Sequence, residues 1–221
     1  MRTKYNKIFV IGLNKTATLT IDYVFKSNYY RTIHWQTRLN SNYTGNLTEE
    51  SVMRNFENNK KLLDDYLDKN FDVFSDIENL SLNFKILDKQ YPNSLFIFNY
   101  RSLNSWLLSR LNFGNGEYIN YYKKNYRKTL GYLMYGNNIN AETNDNIINI
   151  WKNLYINHRK NVEDYFKNRD NIIYYDIENE TIKDFIEKLP FEMKQKDIQS
   201  KHITKNKTWK IENGKFVKIK E

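Results

Sequence analysis

The chain has 221 residues, 40% of them hydrophobic and 16% aromatic, which gives enough apolar mass for one sizeable core and excludes a disordered chain. Its net charge of +9 suits an anionic partner, namely a nucleic acid, a membrane face or a polyanionic small molecule, although a lysine-rich soluble surface accounts for the charge equally well. Cysteine is absent and the three histidines are far apart in sequence, which excludes disulfides and argues against a metal site built on thiolates or clustered histidines.

The N-terminal segment predicts a strand, a turn and a helix in succession. Residues 7–11 form a short apolar run rich in β-branched side chains, which is typical of a buried parallel strand, and the run stops at Gly12. Residues 12–18 are polar and predict a turn. A helix is predicted over 18–27, with its apolar side chains on one face.

The rest of the chain continues this alternation. Strands are predicted over 31–35, 71–74, 94–100 and 171–175, and helices over 49–69, 80–90, 102–111, 147–166 and 181–189. The pattern predicts an α/β fold, a three-layer sandwich with a central parallel sheet, in a single domain over residues 1–221. We interpret 113–146 as a substrate-side insertion or lid and 194–221 as a basic C-terminal segment.

The sequence shows no sign of a membrane segment. No apolar run reaches the roughly 18–20 residues that span a bilayer. The first residues lead directly into the strand at 7–11, with no signal-peptide core before it. We therefore expect a cytoplasmic protein without a membrane span. The abundance of Asn, Lys, Ile and Tyr indicates an AT-rich genome, such as that of a virus.

The turn after the first strand has the features of a phosphate site. The start of a helix offers backbone N–H groups and a partial positive charge, Lys15 adds a full charge, and Thr16 and Thr18 add hydroxyl donors. Gly12 stands three residues before Lys15, and Asn14 takes the place of the second Gly, so the turn is shorter than the ATP-binding loop. The alternative is an ordinary threonine-capped turn between a strand and a helix.

Residues 9–20 resemble the 5′-phosphosulfate loop of sulfotransferases that use 3′-phosphoadenosine-5′-phosphosulfate (PAPS) as donor. The family pattern resembles Gly-x-Pro-Lys-Thr-Gly-Thr-Thr-Ser-Leu, and here Asn14 replaces the Pro and Leu19 replaces a Thr or Ser. Ala17 replaces a Gly, and its methyl group is expected either to crowd the phosphate or to require a negative φ. The resemblance implies that the whole turn binds the donor, that is Gly12, Leu13, Asn14, Lys15, Thr16, Ala17 and Thr18.

A second resemblance concerns the strand predicted over 94–100. Arg101 follows this strand and Ser109 comes eight residues later, with Trp106 between them. The arrangement resembles the family's 3′-phosphate motif, in which an Arg and a Ser grip the 3′-phosphate of the cofactor. Arg presents a planar fork of donors, and a Ser two helical turns further on can face the same side. The alternative is a surface Arg and a surface Ser without this role.

The C-terminal tail carries the third resemblance. Residues 201–210 are similar, without the family's Gly residues, to the basic segment that closes over the 3′-phosphate side of the cofactor, which implies that Lys205 and Lys207 are ligands. The alternative is a solvated basic tail. Together the resemblances imply a P-loop NTPase-like sulfotransferase fold and PAPS as co-substrate. They also imply 3′-phosphoadenosine-5′-phosphate (PAP) as product, no metal, and a hydroxyl or amine acceptor such as a saccharide or another small molecule.

Three residues are candidates for the chemistry of sulfuryl transfer. Lys15 would stabilise charge on the departing group, and a base must take the proton of the acceptor. His34 and Asp76 both sit at predicted strand ends on the edge that carries the loop, so either can be that base. The alternatives are a buried structural role for His34 and a helix N-cap role for Asp76, and Glu78 is a third candidate for the base.

Two other functions compete with this interpretation. A small P-loop kinase or nucleotide hydrolase would need Mg²⁺ and an Asp at a strand end, which Asp76 or Asp176 could supply, but the short loop argues against it. A basic nucleic-acid-binding protein fits the charge and the aromatic content, but no recognised nucleic-acid motif is present. The expected partners are therefore PAPS and an acceptor, with no nucleic acid.

Overall fold

The computed structural model describes residues 5–35, 60–126, 141–199 and 207–219. The chain divides into two compact units, one made of Met1–Tyr100 and Val162–Lys201 and the other of Arg101–Asn161 and His202–Glu221. Among the described residues, none of the helices is both long and apolar enough to cross a bilayer.

A parallel sheet forms the centre of the first unit. Its strands are β1 (Ile8–Val10), β2 (Thr32–His34), β3 (Val73–Ser75), β4 (Leu95–Tyr100) and β5 (Ile172–Asp176). They pair in the order β2-β3-β1-β4-β5, and every pair is parallel. The continuous apolar runs of β1 and β4 belong in such a sheet, because its strands are buried on both faces.

Helices cover the two faces of this sheet. The helices of the described residues are α1 (Thr18–Ser27), α2 (Asp65–Asn70), α3 (Glu78–Leu82), α4 (Phe84–Gln90), α5 (Leu103–Leu111), α6 (Tyr118–Lys124), α7 (Asn144–Phe166) and α8 (Ile182–Glu187). Phe9 and Phe96 face a core built with α2, α3, α4 and the end of α7. Ile8 and Val10 face the opposite core, built with α1 and α8. The predicted α/β sandwich with a central parallel sheet is confirmed.

The centre of the second unit is a buried cation. The guanidinium carbon of Arg110 lies 4.8–5.8 Å from the ring centres of Trp106, Tyr118, Tyr122 and Trp151, and Arg110 has no exposed surface. Cation–π attraction of this kind strengthens as the cation is desolvated. Tyr118 and Tyr122, both in the segment 113–146, therefore have a packing role around one arginine.

The second unit also contains a hairpin that the sequence interpretation missed. Its strands are β6 (Trp209–Glu212) and β7 (Lys215–Lys218), which pair antiparallel. Asn213 and Gly214 turn between them with φ values of 49° and 75°, the left-handed pair that a tight hairpin needs. The carboxamide oxygen of Asn112 accepts a hydrogen bond from the backbone N–H of Trp209 at 2.8 Å and holds the hairpin against the end of α5.

Within the residues that the structure describes, the helix predicted over 49–69 is correct over 65–69 and wrong over 60–64. Residues 49–59 lie outside the described residues, 60–64 are not helical, and α2 begins only at Asp65. The reason is local, because the carboxylate of Asp64 accepts a hydrogen bond from the backbone N–H of Leu67 at 2.9 Å and so caps the helix there.

The helix predicted over 80–90 is also corrected. It begins earlier, at Glu78, and is interrupted at Asn83, so that α3 and α4 are separate. The side-chain amide of Asn83 donates to the carbonyl oxygen of Asn79 at 2.8 Å, which is typical of asparagine competing with regular helix hydrogen bonds. The segment 113–146 contains the helix α6, and its residues 127–140 lie outside the described residues.

Candidate active site

Three neighbouring strands end together at one edge of the sheet. His34, the last residue of β2, is in register with Ser75, the last residue of β3, and the turn that starts at Gly12 follows β1 between β3 and β4. Open α/β sheets bind their ligands at the carboxyl ends of strands, where successive connections leave in opposite directions. β1 is such a point in this sheet. The strand that follows it in the chain, β2, lies beyond β3 on one side of β1, while β4 pairs with β1 on the other side.

The turn after β1 has an unusual backbone. Lys15 and Ala17 have φ values of 67° and 62°, both in the left-handed region that favours glycine. The expectation that Ala17 requires a negative φ is therefore wrong, and Ala17 has a backbone that a glycine would adopt more easily. Ala17 is also the N-cap of α1 and makes no side-chain cap bond. The start of α1 thus remains suited to an anion.

Asn99 fixes this turn from the neighbouring strand β4, and the sequence interpretation missed it. Its buried carboxamide oxygen accepts the backbone N–H of Gly12 at 3.1 Å, and its amide donates to the hydroxyl of Thr16 at 2.8 Å and to the Thr16 carbonyl oxygen. A Cβ on Gly12 would lie 2.1 Å from the carbonyl oxygen of Asn99, so this position accepts only glycine. The signal in the sequence was one amide in an otherwise apolar buried strand.

Asp76 directly follows β3 and turns towards the loop of β1. Its φ is 58°, and its carboxylate accepts a hydrogen bond from the hydroxyl of Thr18 at 3.0 Å. The N-cap of α3 is Ile77, so the helix-capping alternative for Asp76 is wrong. Burial raises the pKa of the Asp76 carboxyl above its ordinary value, against the smaller opposing effects of His34 and the Thr18 hydrogen bond. A carboxylate with a raised pKa is a stronger base.

His34 lies behind this carboxylate. Its Nε2 is 3.6 Å from Oδ2 of Asp76, and its Nδ1 is 3.1 Å from the hydroxyl of Ser75. Both ring nitrogens are therefore engaged with protein groups. The side chain of His34 is 11% exposed and that of Asp76 is 24% exposed, so the carboxylate is the more accessible of the two. A hydroxyl arriving from solvent would meet Asp76 first.

Two further charges act on the same carboxyl. Besides burial and His34, Glu78 raises the pKa of Asp76 and Lys15 lowers it, and Lys15 itself is half-buried in the loop. Lys15, Thr18, His34 and Asp76 therefore belong to one electrostatic group at one edge of the sheet. Among the described residues, no three His, Asp or Glu side chains cluster as metal ligands.

The remaining candidate residues belong to the second unit. Arg101 stands two residues before α5 and Ser109 lies in the last turns of that helix, and both are half-buried. The hydroxyl of Tyr155 donates a hydrogen bond to the backbone carbonyl oxygen of Arg101. Lys207 is exposed and Lys205 lies outside the described residues. His158, the second of the three histidines of the chain, is buried within α7, which agrees with a structural role.

Comparison with known families gives one finding. A family model described as a sulfotransferase domain matches residues 7–189, a range that contains the turn after β1, His34, Asp76 and Arg101. No curated protein matches the sequence closely enough to supply a relative.

Proposed function

The chain belongs to the sulfotransferase family, whose match covers most of its 221 residues, and we propose that it transfers the sulfuryl group of PAPS to a hydroxyl or amine acceptor and releases PAP. The observation that carries the proposal is the hydrogen bond between Thr18 and Asp76 at 3.0 Å, because it joins the loop proposed to bind phosphate to the carboxylate proposed as the base. The match runs through residues of both compact units, which supports one functional domain over 1–221.

The residues of the loop fit an anionic donor group. Left-handed backbone at Lys15 and Ala17 and an uncapped start of α1 supply backbone N–H groups, and Lys15 supplies a full positive charge. We assign Gly12, Leu13, Asn14, Lys15, Thr16, Ala17 and Thr18 to the 5′-phosphosulfate. Asn99 keeps the loop in this shape through its bonds to Gly12 and Thr16.

The transfer itself requires charge stabilisation and a base. The acceptor oxygen or nitrogen bonds to sulfur while the bond from sulfur to the phosphate oxygen of PAP breaks, and the proton of the acceptor must leave. Lys15 stabilises the negative charge on the departing phosphate. Asp76 takes the proton, since its carboxylate is more accessible than His34 and burial raises its pKa. His34 is a positioning residue that holds Asp76 from behind.

The 3′-phosphate of the donor needs its own ligands. We propose Arg101 and Ser109 for this role, supported by the planar donor fork of arginine and by their placement before and within α5. Ser109 lies six residues, about 9 Å along the helix axis, from Leu103, the first residue of α5, and Arg101 precedes that residue by two positions. Lys205 and Lys207 are proposed as further contacts to the same phosphate.

Two variants test the choice of base. Asp76→Asn keeps an acceptor for the Thr18 hydroxyl but cannot take a proton, so we expect kcat to fall by about 10²- to 10⁴-fold with the affinity for PAP nearly unchanged. The raised pKa means that ionised Asp76 is unfavourable in the folded state. Asp76 therefore contributes most to the free energy of unfolding at low pH, where it is protonated, and this contribution is lost as the pH rises through the folded-state pKa. Asp76→Asn should therefore unfold no more easily than the wild type at neutral pH.

The matched variant is His34→Gln. The charge of His34 lowers the pKa of Asp76, so its removal should shift the rising limb of kcat against pH to higher pH while keeping much of the maximal rate. The assay is transfer from ³⁵S-labelled PAPS to a panel of acceptors across pH. Loss of all activity in His34→Gln together with retained activity in Asp76→Asn would reverse the two roles.

A further inference from the structure

Trp35 is an exposed aromatic side chain that the proposed reaction does not use. It is 56% exposed, whereas Trp106, Trp151 and Trp209 are at most 5% exposed. Burying the apolar face of an indole against a ligand removes it from water, and Trp is enriched at binding interfaces because it combines a large apolar face with a polar N–H. Its surroundings therefore decide what it can bind.

The backbone of Trp35 is strained and held in place. Its φ is 50°, a left-handed conformation that is rare for a bulky side chain, and its N–H donates to the carbonyl oxygen of Ser75 at 2.9 Å. Strain of this kind persists only where the surrounding structure fixes it, and it clusters at functional sites. Trp35 is thus fixed by β3 rather than left loose after β2.

The neighbour of Trp35 at the edge of the sheet is Asp76. His34 and Ser75 are the last paired residues of β2 and β3, so Trp35 and Asp76 come next on the two strands. Adjacent strands lie about 4.8 Å apart. Both residues have left-handed φ, 50° and 58°, so the two strands end in matched turns. The exposed indole and the proposed base therefore start from adjacent positions.

From this juxtaposition we propose that Trp35 is the platform for the acceptor, and that the acceptor carries a ring with an apolar face and a hydroxyl on its rim. The inference rests on the proposed sulfuryl transfer. The indole packs against the face of the ring, and Asp76 accepts the proton of the rim hydroxyl. A pyranose and a phenol share this chemistry, whereas an open-chain alcohol lacks it. Trp35 thereby sets acceptor specificity without taking part in bond breaking.

Fluorescence provides a direct test, because Trp35 is the exposed one of the four tryptophans of the chain. Iodide should quench one accessible fraction in the wild type, and Trp35→Phe should abolish that fraction. With PAP bound, we expect methyl β-glucopyranoside or phenol to protect Trp35 from iodide at lower concentrations than 1-propanol does. Protection by the glycoside points to a saccharide acceptor and protection by phenol to an aromatic one. Equal effects of all three compounds would overturn the proposal.

Kinetics supply the second readout and a matched control. Trp35→Ala should raise the KM of the ring acceptor about tenfold while the KM of PAPS stays within about twofold. Tyr29 is also exposed and left-handed, but it follows the far end of α1, about 15 Å from the loop, so Tyr29→Ala should change neither KM. An unchanged acceptor KM in Trp35→Ala rejects the platform. If PAP fails to raise the melting temperature of the wild type, both the proposed transfer and the proposed role of Trp35 are rejected. If PAP binds but no acceptor protects Trp35 from iodide, only the role of Trp35 is rejected.

Discussion

Replacing Ala17 by glycine should stabilise the protein. Ala17 has a φ of 62° at the start of α1, and a left-handed backbone costs a residue with a Cβ about 1–2 kcal/mol. Glycine avoids that strain but loses more backbone freedom on folding, which costs about 0.5–1 kcal/mol. The net gain expected for Ala17→Gly is therefore up to about 1.5 kcal/mol, or up to about 6 °C in Tm for a chain of this size.

The chain supplies a matched control. Its second alanine, Ala141, does not have a positive φ, so Ala141→Gly gains nothing in strain and should be neutral or destabilising by up to about 1 kcal/mol. Urea denaturation measures the free energy of unfolding of both variants, and the comparison holds if the slope of that free energy against urea concentration is unchanged. If Ala17→Gly destabilises the protein as much as Ala141→Gly does, the left-handed turn is not the conformation of the loop. Ala17→Gly should also bind PAP at least as tightly as the wild type, since the same turn is then easier to adopt.

Three further variants test neighbouring parts of the account. Gly12→Ala should lower the free energy of unfolding by about 1–3 kcal/mol or more, because its Cβ would lie 2.1 Å from a backbone oxygen of Asn99, and unchanged urea unfolding would contradict this packing. Asn99→Leu leaves the Gly12 N–H and the Thr16 carbonyl oxygen unpaired, so it should cost about 1–3 kcal/mol for each group and weaken PAP binding in calorimetry. Arg101→Ala should weaken PAP about 10- to 100-fold and adenosine-5′-phosphosulfate far less, and equal losses for both ligands would rule out the 3′-phosphate role.

The layers of the fold were predictable because hydrophobic periodicity reports burial directly. The helix predicted over 18–27 is α1, with the same bounds, and the apolar runs at 7–11 and 94–100 contain β1 and β4. The prediction failed where a single polar side chain decides where an element begins or ends. Asp64 starts α2 later than the pattern indicates, and Asn83 divides a predicted helix into α3 and α4.

The site was less accessible from sequence because its parts come from separate strands. Lys15 could be named from the polar turn after the first strand, and His34 and Asp76 from their positions at strand ends. The contact between His34 and Asp76, however, depends on the register of β2 with β3. The role of Asn99 depends on β4 lying next to β1, a pairing of residues far apart in the chain. The left-handed φ of Ala17 could not be anticipated either, since alanine carries no preference for it.

The hairpin at the C-terminal end shows a different kind of failure. Asn213-Gly214 is a strong short-range signal for a tight turn between two strands, and both residues have positive φ. The charge of the surrounding tail obscured this signal, because four of the residues in 209–218 are Lys or Glu on the exposed faces of β6 and β7. Turn residues therefore predicted the local structure better than composition did.

The most direct test of the central claim is a titration of the metal-free protein with PAP, in which binding is measured by calorimetry and by the shift in melting temperature. We expect PAP to bind in the presence of EDTA. In a separate titration without EDTA, we expect Mg-ATP not to compete with PAP. Lys15→Ala should weaken PAP binding about 10- to 100-fold while unfolding like the wild type, because a charge-assisted contact to phosphate is lost. Binding of Mg-ATP together with no response to PAP would contradict the account and favour a kinase or nucleotide hydrolase.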